Sequence, residues 1–581
     1  MGERMRGSDA VVEMLIAHKV KHVFGVPGDT SMNVHDSFAD RAGDIQHILT
    51  RDERNAGYMA DTYARVSGRP GVVETPSGGG PLYVIPAVSE AHNSCIPLVC
   101  LSSDITMSSE ETNALTNVDQ ELLFKPVTKW NTKIRLAAKI PQLFRKAFRM
   151  ATGGIPGAVQ LAIPENILGE TLEFPAHELQ ALEATSMQAP FRNEAKSGDL
   201  DKVVDLFSRS SRPIILAGGG VHLSNAYEEL ERFRAAFHIP VATTVNGKGS
   251  VREWLDTAVG VIGANGGSEE GLSIIQQADL VLVLGSKLNN VTTMGKIAIN
   301  KEAKVVQVDI GEDGIGLNIP VEVAIVADLQ SVLAQLNEAM AAKKESAAAR
   351  YEAWNACVRT KMLEKRKRIE QEMCTDSPRV LPCRFFGALE KLTGEDTIFV
   401  GDAGTPTPYL CSYVRLKKAG RWNVLPRAHG SLGYALPGAI GAKVAKPEAT
   451  VFSLMGDSSF GMALGDLETA KRLNLSVIFV NFENNCYGWI KTIQRLYFDE
   501  KYFAVDFCPI DTVAIAKGFG MNARNIGNNG EIEEGIRWAL SKEGPVFLNV
   551  AIEPPTSFVP PVLKWERDSK VPAAQRKKLT Y

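Results

Sequence analysis

Thr450-Val-Phe-Ser-Leu-Met455 is an apolar run of the kind that forms a strand buried on both faces. It breaks at Gly456-Asp457-Ser458-Ser459, a turn of small residues, and helical spacing then runs from Phe460 to Leu473. Val477 to Phe482 reads as a second strand, ending in Glu483-Asn484-Asn485. A strand–turn–helix–strand unit places both strands parallel, so their carboxyl ends face the same way. Asp457 and Asn484 are therefore expected to converge at one rim. A carboxylate and an amide oxygen, beside free backbone amides at a helix start, suit a Mg²⁺ ion carrying a diphosphate. The plainer reading makes Asp457 a helix cap and Asn484-Asn485 an ordinary turn.

Outward from this unit, a chain of 581 residues implies several domains. A net charge of -3 gives no electrostatic case for nucleic acid or an anionic membrane as partner. Met1-Gly-Glu-Arg-Met-Arg-Gly-Ser-Asp9 has no apolar core for a signal peptide, and no later run is long enough to span a bilayer. The cysteines form no C-x-x-C pair and no cluster with histidine at zinc spacing. They read as reduced, mostly buried thiols of a cytoplasmic protein.

Helix and strand patterns alternate along three stretches, so the expected fold is α/β, with three doubly wound parallel-sheet domains. The first spans 1–165 and includes strands at Val20–Gly25, Ile45–Leu49, Gly71–Thr75, Ile96–Leu101 and Val159–Ile163. Residues 166–195 have weak periodicity and read as a linker. A second, Rossmann-like domain covers 196–340. Its Gly218-Gly219-Gly220 turn is not G-x-G-x-x-G, and Gly247-Lys248-Gly249-Ser250 lacks the first glycine of a P-loop. A solvated helical linker follows over 341–377. The third domain spans 378–555 and contains the opening unit; 556–581 reads as a tail rich in proline and lysine.

Together these segments resemble the thiamine-diphosphate enzymes of the acetohydroxyacid synthase, pyruvate oxidase and benzoylformate decarboxylase group. The resemblance covers the chain from about residue 7 to 553 in the family's order of pyrimidine-binding, central Rossmann-like and diphosphate-binding domains. Gly456-Asp457-Ser458 through Asn484 resembles the family's cofactor motif, with Ser458 and Glu483 as departures from its usual residues. The resemblance implies that Asp457, Asn484 and the carbonyl of Cys486 hold Mg²⁺. It places Gly456, Ser458, Ser459, Tyr487, Gly488 and Thr405 around the diphosphate. Arg51-Asp-Glu-Arg-Asn-Ala-Gly57 is similar to the segment that sets a catalytic glutamate, here Glu53, against N1′ of the aminopyrimidine. A carboxylic acid sharing a proton there permits the 4′-imino tautomer that deprotonates C2. Leu432, within Gly430-Ser-Leu-Gly433, fills the position of the apolar wedge under the bent cofactor, and Gly79 lies in a loop resembling the one beside the thiazolium. Because Glu53 and the metal motif fall in different domains, the resemblance also implies a homodimer, commonly doubled to a tetramer, with sites at the subunit interface.

The implied activity is cleavage or decarboxylation of a small-molecule 2-oxo acid or acyloin with transfer of the acyl unit to a carbonyl acceptor. Non-ligating decarboxylation or a 2-hydroxyacyl-CoA or aldehyde lyase is the alternative within enzymes. An inactive binding subunit is the alternative of another class, opposed by intact Glu53, Asp457 and Asn484. Departures cluster where the reaction is chosen. Thr116 replaces an active-site glutamine, Ile493 a tryptophan, and Ser286-Lys287-Leu288 an arginine-rich flavin segment, so FAD is the disfavoured option. Asp29 and His429 complete the catalytic candidates, each with an ordinary alternative as cap or lone histidine.

Overall fold

The computed structural model describes residues 2–576, and the end of the expected tail, 577–581, lies outside the described residues. Three six-stranded parallel sheets organise them, as the alternating pattern predicts. The first runs Gln46–Leu49, His22–Gly25, Gly71–Thr75, Leu98–Asp104, Ala158–Pro164, Trp130–Lys133 across its width. The third runs Asn423–Val424, Thr397–Gly401, Thr450–Gly456, Val477–Glu483, Val546–Ala551, Asn522–Ile526. Numbered within each domain, both have the order 2-1-3-4-6-5. The middle sheet, built on Pro213–Ala217 and Leu280–Leu284, has the Rossmann order 3-2-1-4-5-6.

This shared order marks one crevice in each sheet as the candidate for ligand binding. In an open parallel sheet, the crevice lies beyond the carboxyl ends of the strands at which the winding reverses. In the first sheet these strands are His22–Gly25 and Gly71–Thr75, followed by the loops that hold Asp29 and Ser77–Gly79. In the third they are Thr397–Gly401 and Thr450–Gly456, followed by the turns that hold Thr405 and Asp457.

By compactness the chain gathers into two units. One comprises the residues up to 191 with 426–453 and 461–477; the other comprises 192–425, 454–460 and the residues from 478 on. The core of the first unit includes Val11, Val72, Val99, Phe144 and Leu161. In the second, the middle sheet buries both faces: Ile215, Leu282 and Val306 point into one apolar cluster, and Ile214, Val281 and Val305 into the other. That two-sided burial is why these strands read as unbroken apolar runs.

Three stretches are more structured than their composition suggests. Within the expected linker 166–195, Thr171–Pro175 pairs antiparallel with an N-terminal strand, Gly2–Arg6. The expected solvated helix is the 30-residue Lys344–Met373, which buries Ala347, Tyr351, Trp354, Val358 and Met362. Trp354 Nε1 donates to the Pro213 carbonyl at 2.9 Å, and Tyr351 Oη to that of Phe207 at 2.7 Å. The many charged residues hide this single stripe. In the expected tail, Leu563–Ser569 is a helix with Leu563 and Trp565 buried, and Trp565 packs on Trp489 at 4.4 Å.

In the first unit, helix Glu53–Ser67 is buried along nearly its whole length. A Cβ on Gly57 would sit 2.4 Å from Ala87 Cβ, and one on Gly441 would sit 2.1 Å from the Met59 carbonyl oxygen. Helices Gly79–Asn93 and Ala435–Ala445 thus approach it at distances only glycine permits. Gly441→Ala should force these backbones apart, at a cost of about 1–3 kcal/mol. The check is an earlier first unfolding transition in differential scanning calorimetry.

Candidate active site

Helix Glu53–Ser67 starts where it does because the Asp52 carboxylate accepts the amides of Arg54 at 2.8 Å and Asn55 at 3.2 Å. Glu53 is its first residue, half-buried. Burial raises its pKa above the ordinary glutamate value, and the charges of Asp52 and Glu74 push the same way. A carboxyl with raised proton affinity is suited to share a proton with a ring nitrogen.

At the winding reversal of the first sheet, the loops are tied by hydroxyls. Thr30 Oγ1 donates to Ser77 Oγ at 3.1 Å and accepts the Ser77 amide at 3.0 Å; Ser77 Oγ donates to Thr116 Oγ1 at 2.8 Å. This gathers exposed Asp29, exposed Gly79 and Thr116 into one loop cluster. Thr116 has φ of 66°, a left-handed conformation that strains a β-branched residue. Gly78 beneath it has φ of 72°, and a Cβ there would lie 2.7 Å from Thr116 Cβ.

The segment carrying Leu432 is held from both sides within the same unit. Upstream, the Glu90 carboxylate accepts the amides of Ala428 at 3.1 Å and His429 at 2.9 Å. The His429 ring lies against helix Gly79–Asn93, with Nε2 2.7 Å from Ser89 Oγ and 3.0 Å from Asn93 Nδ2. Downstream, fully buried Tyr434 donates its hydroxyl to Asp61 and accepts one from Thr62 at 2.6 Å. Arg65 completes the network, 2.8 Å from Asp61 and 3.7 Å from Glu90. Between these anchors Gly430 (φ 67°) and Gly433 (φ 80°) turn the chain so that Leu432 stands half-buried. Sequence reasoning passed over Asp61, Arg65, Glu90 and Tyr434. Asp61 and Arg65 lie four apart on helix Glu53–Ser67, the spacing of a helical ion pair, which is the signal the sequence offers.

In the second unit, the Asp402 amide donates to the Leu454 carbonyl at 3.0 Å, joining the turn that precedes half-buried Thr405 to the Asp457 strand. Gly456 ends that strand, and Asp457, Ser458 and Ser459 open helix Asp457–Ala463. The Asp457 carboxylate accepts the amides of Asn484 at 2.9 Å and Asn485 at 2.7 Å, and the side-chain amide of Asn481 at 3.2 Å. Burial raises its pKa; the amides counter this and the charge of Glu483 reinforces it. Asn484 Oδ1 accepts the Cys486 amide at 3.2 Å. Burial pushes the Cys486 thiol up to about 12, which removes it as a nucleophile and leaves its carbonyl as the group of interest. Gly488 makes room for Asn484, because a Cβ there would sit 2.9 Å from Nδ2; Tyr487 rests edge-on against Phe507 at 4.7 Å.

A ladder of amides, buried at Asn481 and Asn549 and exposed at Asn525, supports this turn. Asn481, Asn549 and Asn525 stand in register on three adjacent strands, bonded at 2.9 and 3.0 Å. Asn549 also donates to Glu483, and Asn481 Oδ1 is buried without a hydrogen-bond partner. The oxygens gathered at this turn are the Asp457 carboxylate, Asn484 Oδ1 and the unpartnered Asn481 Oδ1. An all-oxygen set of this kind fits a hard dication.

Elsewhere, Lys248 is buried and donates to Glu253 at 2.5 Å and to the Val414 carbonyl at 2.6 Å, an internal ion pair rather than a phosphate ligand. The Gly218 turn packs so tightly on Gly285 that a Cβ would lie 2.3 Å from its carbonyl oxygen. Lys287 of the departing segment pairs at the surface with Asp313 at 3.2 Å.

Three family models match this chain: the N-terminal TPP binding domain of thiamine pyrophosphate enzymes over residues 5–123, the central domain over 200–336 and the C-terminal TPP binding domain over 402–550. The chain belongs to the thiamine pyrophosphate enzyme family. Its relatives within that family include a probable acetolactate synthase large subunit of Methanococcus aeolicus, 30% identical over 574 residues, covering 96% of this chain and 94% of the relative. The acetolactate synthase large subunit of Buchnera aphidicola is 29% identical over 556 residues, covering 95% of each. The isozyme 3 large subunit of Escherichia coli is 28% identical over 568 residues, again covering 95% of each. As a thiamine pyrophosphate enzyme the chain has the three parallel-sheet domains of that fold, and no helix among its described residues is long and apolar enough to cross a membrane.

Tyr434→Phe removes the hydroxyl shared by Asp61 and Thr62 and leaves a buried carboxylate short of a donor. A loss of about 1–3 kcal/mol is expected, readable in thermal denaturation. Tyr434→Trp, which adds volume at a fully buried position, should be worse.

Proposed function

We propose that this chain is a Mg²⁺- and thiamine-diphosphate-dependent carboligase of the acetolactate synthase kind. It cleaves or decarboxylates a 2-oxo acid and passes the acyl unit to a carbonyl acceptor. The observation that carries the reading is Glu53, a half-buried carboxyl with raised proton affinity at the start of a rigidly packed helix. Bound thiamine diphosphate supplies the nucleophilic carbon and the electron sink for cleavage next to a carbonyl.

The chain's residues take the remaining tasks. Glu53 holds the proton shared with N1′. Asp457, Asn484 and the Cys486 carbonyl hold Mg²⁺, already preorganised by the amides around Asp457. Gly456, Ser458, Ser459, Thr405, Tyr487 and Gly488 would line the diphosphate, and Leu432, flanked by Gly430, would pack against the cofactor's rings. Gly79 leaves space beside the thiazolium. Asp29, Thr116 and His429 supply polar groups toward the substrate, and the strained backbone at Thr116 is consistent with a positioned side chain. Ile493 packs with the apolar cluster of Tyr497, Val562 and Trp565, making that helix the apolar wall where relatives with tryptophan differ. Sites of this kind are completed between two copies of the chain, so a homodimer or homotetramer in the cytoplasm is part of the proposal.

Pyruvate and other 2-oxo acids, alone and in pairs, with product identification by mass spectrometry, test the reading. Acetohydroxy acids support carboligation; aldehyde alone would replace it with simple decarboxylation. Glu53→Gln should lower kcat by about 10²–10⁴ while the cofactor's circular dichroism signal persists. Since the raised pKa keeps Glu53 protonated to higher pH, wild-type rate should fall as pH passes that value. The glutamine variant should lose this limb. Asp457→Asn should abolish cofactor retention at limiting Mg²⁺.

A further inference from the structure

Beside Glu53, whose carboxyl feels the charge of Glu74, the first unit gathers two histidines and this buried glutamate on one face of its sheet. His35 lies on helix Met32–Asp40, His47 on strand Gln46–Leu49 and Glu74 on strand Gly71–Thr75. His22–Gly25 runs between the last two, pairing Val23 with His47 and Gly25 with Glu74. Register partners in a parallel ladder share a face, so His47 and Glu74 point the same way across the central strand. Gly25 makes the crossing possible: a Cβ there would stand 2.6 Å from Glu74 Oε1. The Glu74 side chain therefore lies over Gly25 and reaches toward the neighbouring strand.

Both imidazoles meet it at the same atom. His35 Nε2 is 2.9 Å and His47 Nε2 3.1 Å from Glu74 Oε1, and the ligand atoms all lie within 4.8 Å of one another. Two imidazole nitrogens and one carboxylate oxygen, the donor types of a zinc site, thus meet in one place. The rings are T-shaped at 4.6 Å, and their side chains are 17% and 13% exposed, against 3% for Glu74. The donors are buried on one side and reachable on the other.

The geometry points to a metal site, His35–His47–Glu74, that takes zinc or a similar borderline dication with one open position for water. Tetrahedral zinc with ligand bonds of about 2.0–2.2 Å sets its ligand atoms about 3.3 Å apart. The two nitrogen–oxygen edges need to open by a few tenths of an ångström, while the nitrogen–nitrogen edge, bounded at 4.8 Å, closes as the rings turn toward the ion. Each ring moves its proton from Nε2 to Nδ1 as Nε2 becomes a ligand, so the imidazoles bind neutral and the carboxylate supplies the single negative charge. The site differs in kind from the oxygen-only set around Asp457: nitrogen donors favour zinc over Mg²⁺.

The test uses the full-length protein, loaded with zinc sulfate, desalted into excess Mg²⁺ and assayed by elemental analysis. About one zinc per chain should survive in wild type. Retention should fall about tenfold or more in His35→Gln and His47→Gln, with Asp457 intact. Glu74→Gln keeps an acceptor for both rings and removes the charge, so wild-type zinc affinity in that variant would overturn the site. Cobalt substitution gives a readout that a folding defect cannot imitate: wild type should show the intense visible bands of a four-coordinate ion. Weak octahedral bands, or zinc contents equal in wild type and correctly folded histidine variants, would also overturn it. Circular dichroism and melting curves establish folding for each variant.

Discussion

Helix Glu53–Ser67 has almost no solvent face, and that constraint organises the first unit. A buried helix must be approached by its neighbours at full packing density, which is the task of Gly57 and Gly441. It must also satisfy every polar group it carries inward. Asp61 and Arg65 do so with each other and with Tyr434 and Glu90. A buried ion pair of this kind adds little stability over apolar packing, but breaking it by removing one partner is costly. Its consequence is positional. The same network that satisfies the helix fixes both ends of the Leu432 segment, so the first residue of the helix and the apolar residue at 432 are referenced to one rigid element.

The two halves of the proposed cofactor site follow one architectural rule. Sheets of identical strand order each present the loops at their winding reversal, one offering hydroxyls and a proton-holding carboxyl, the other a carboxylate in a bed of amides. Burial raises the pKa of Glu53 and of Asp457 alike, yet their company differs. Glu53 has negative neighbours, which favour its neutral acid. Asp457 has amide donors, which favour its anion, while the charge of Glu483 opposes them. The hydrogen-bond donors around Asp457 thus set it apart as the candidate ion ligand.

Much of this was legible in the residues because the decisive patterns are local. The run Thr450–Met455, the turn at Gly456 and the pair Asn484-Asn485 sit within one supersecondary unit, as do Asp52, Glu53 and the helix they begin. What escaped was contact between distant positions: Tyr434 meets Asp61 across 373 residues, and Asn481 meets Asn549 across 68. Helix Lys344–Met373 was misjudged as solvated for a related reason, its charged residues outnumbering a narrow apolar stripe that only the partner surface reveals. Strand Gly2–Arg6 was missed because nothing in five polar-rich residues announces pairing with Thr171–Pro175. His35, His47 and Glu74 likewise have no recognisable spacing; parallel strands bring them together, and a glycine lets them touch.

The end of the chain carries a consequence for how the protein is made. Helix Gly488–Tyr497, which begins directly after Cys486 and Tyr487, has its apolar side covered by Val562 and Trp565. The covering segment is in turn stitched to the middle domain, where the Leu563 amide bonds Ala264 and Arg567 pairs with Glu269. Synthesis proceeds from the N-terminus and domains fold in that order. The turn at Cys486 and Tyr487 and the helix after it therefore exist as sequence before their cover at 562–565 has been translated. Packing of this helix waits for that segment, which acts as its clasp.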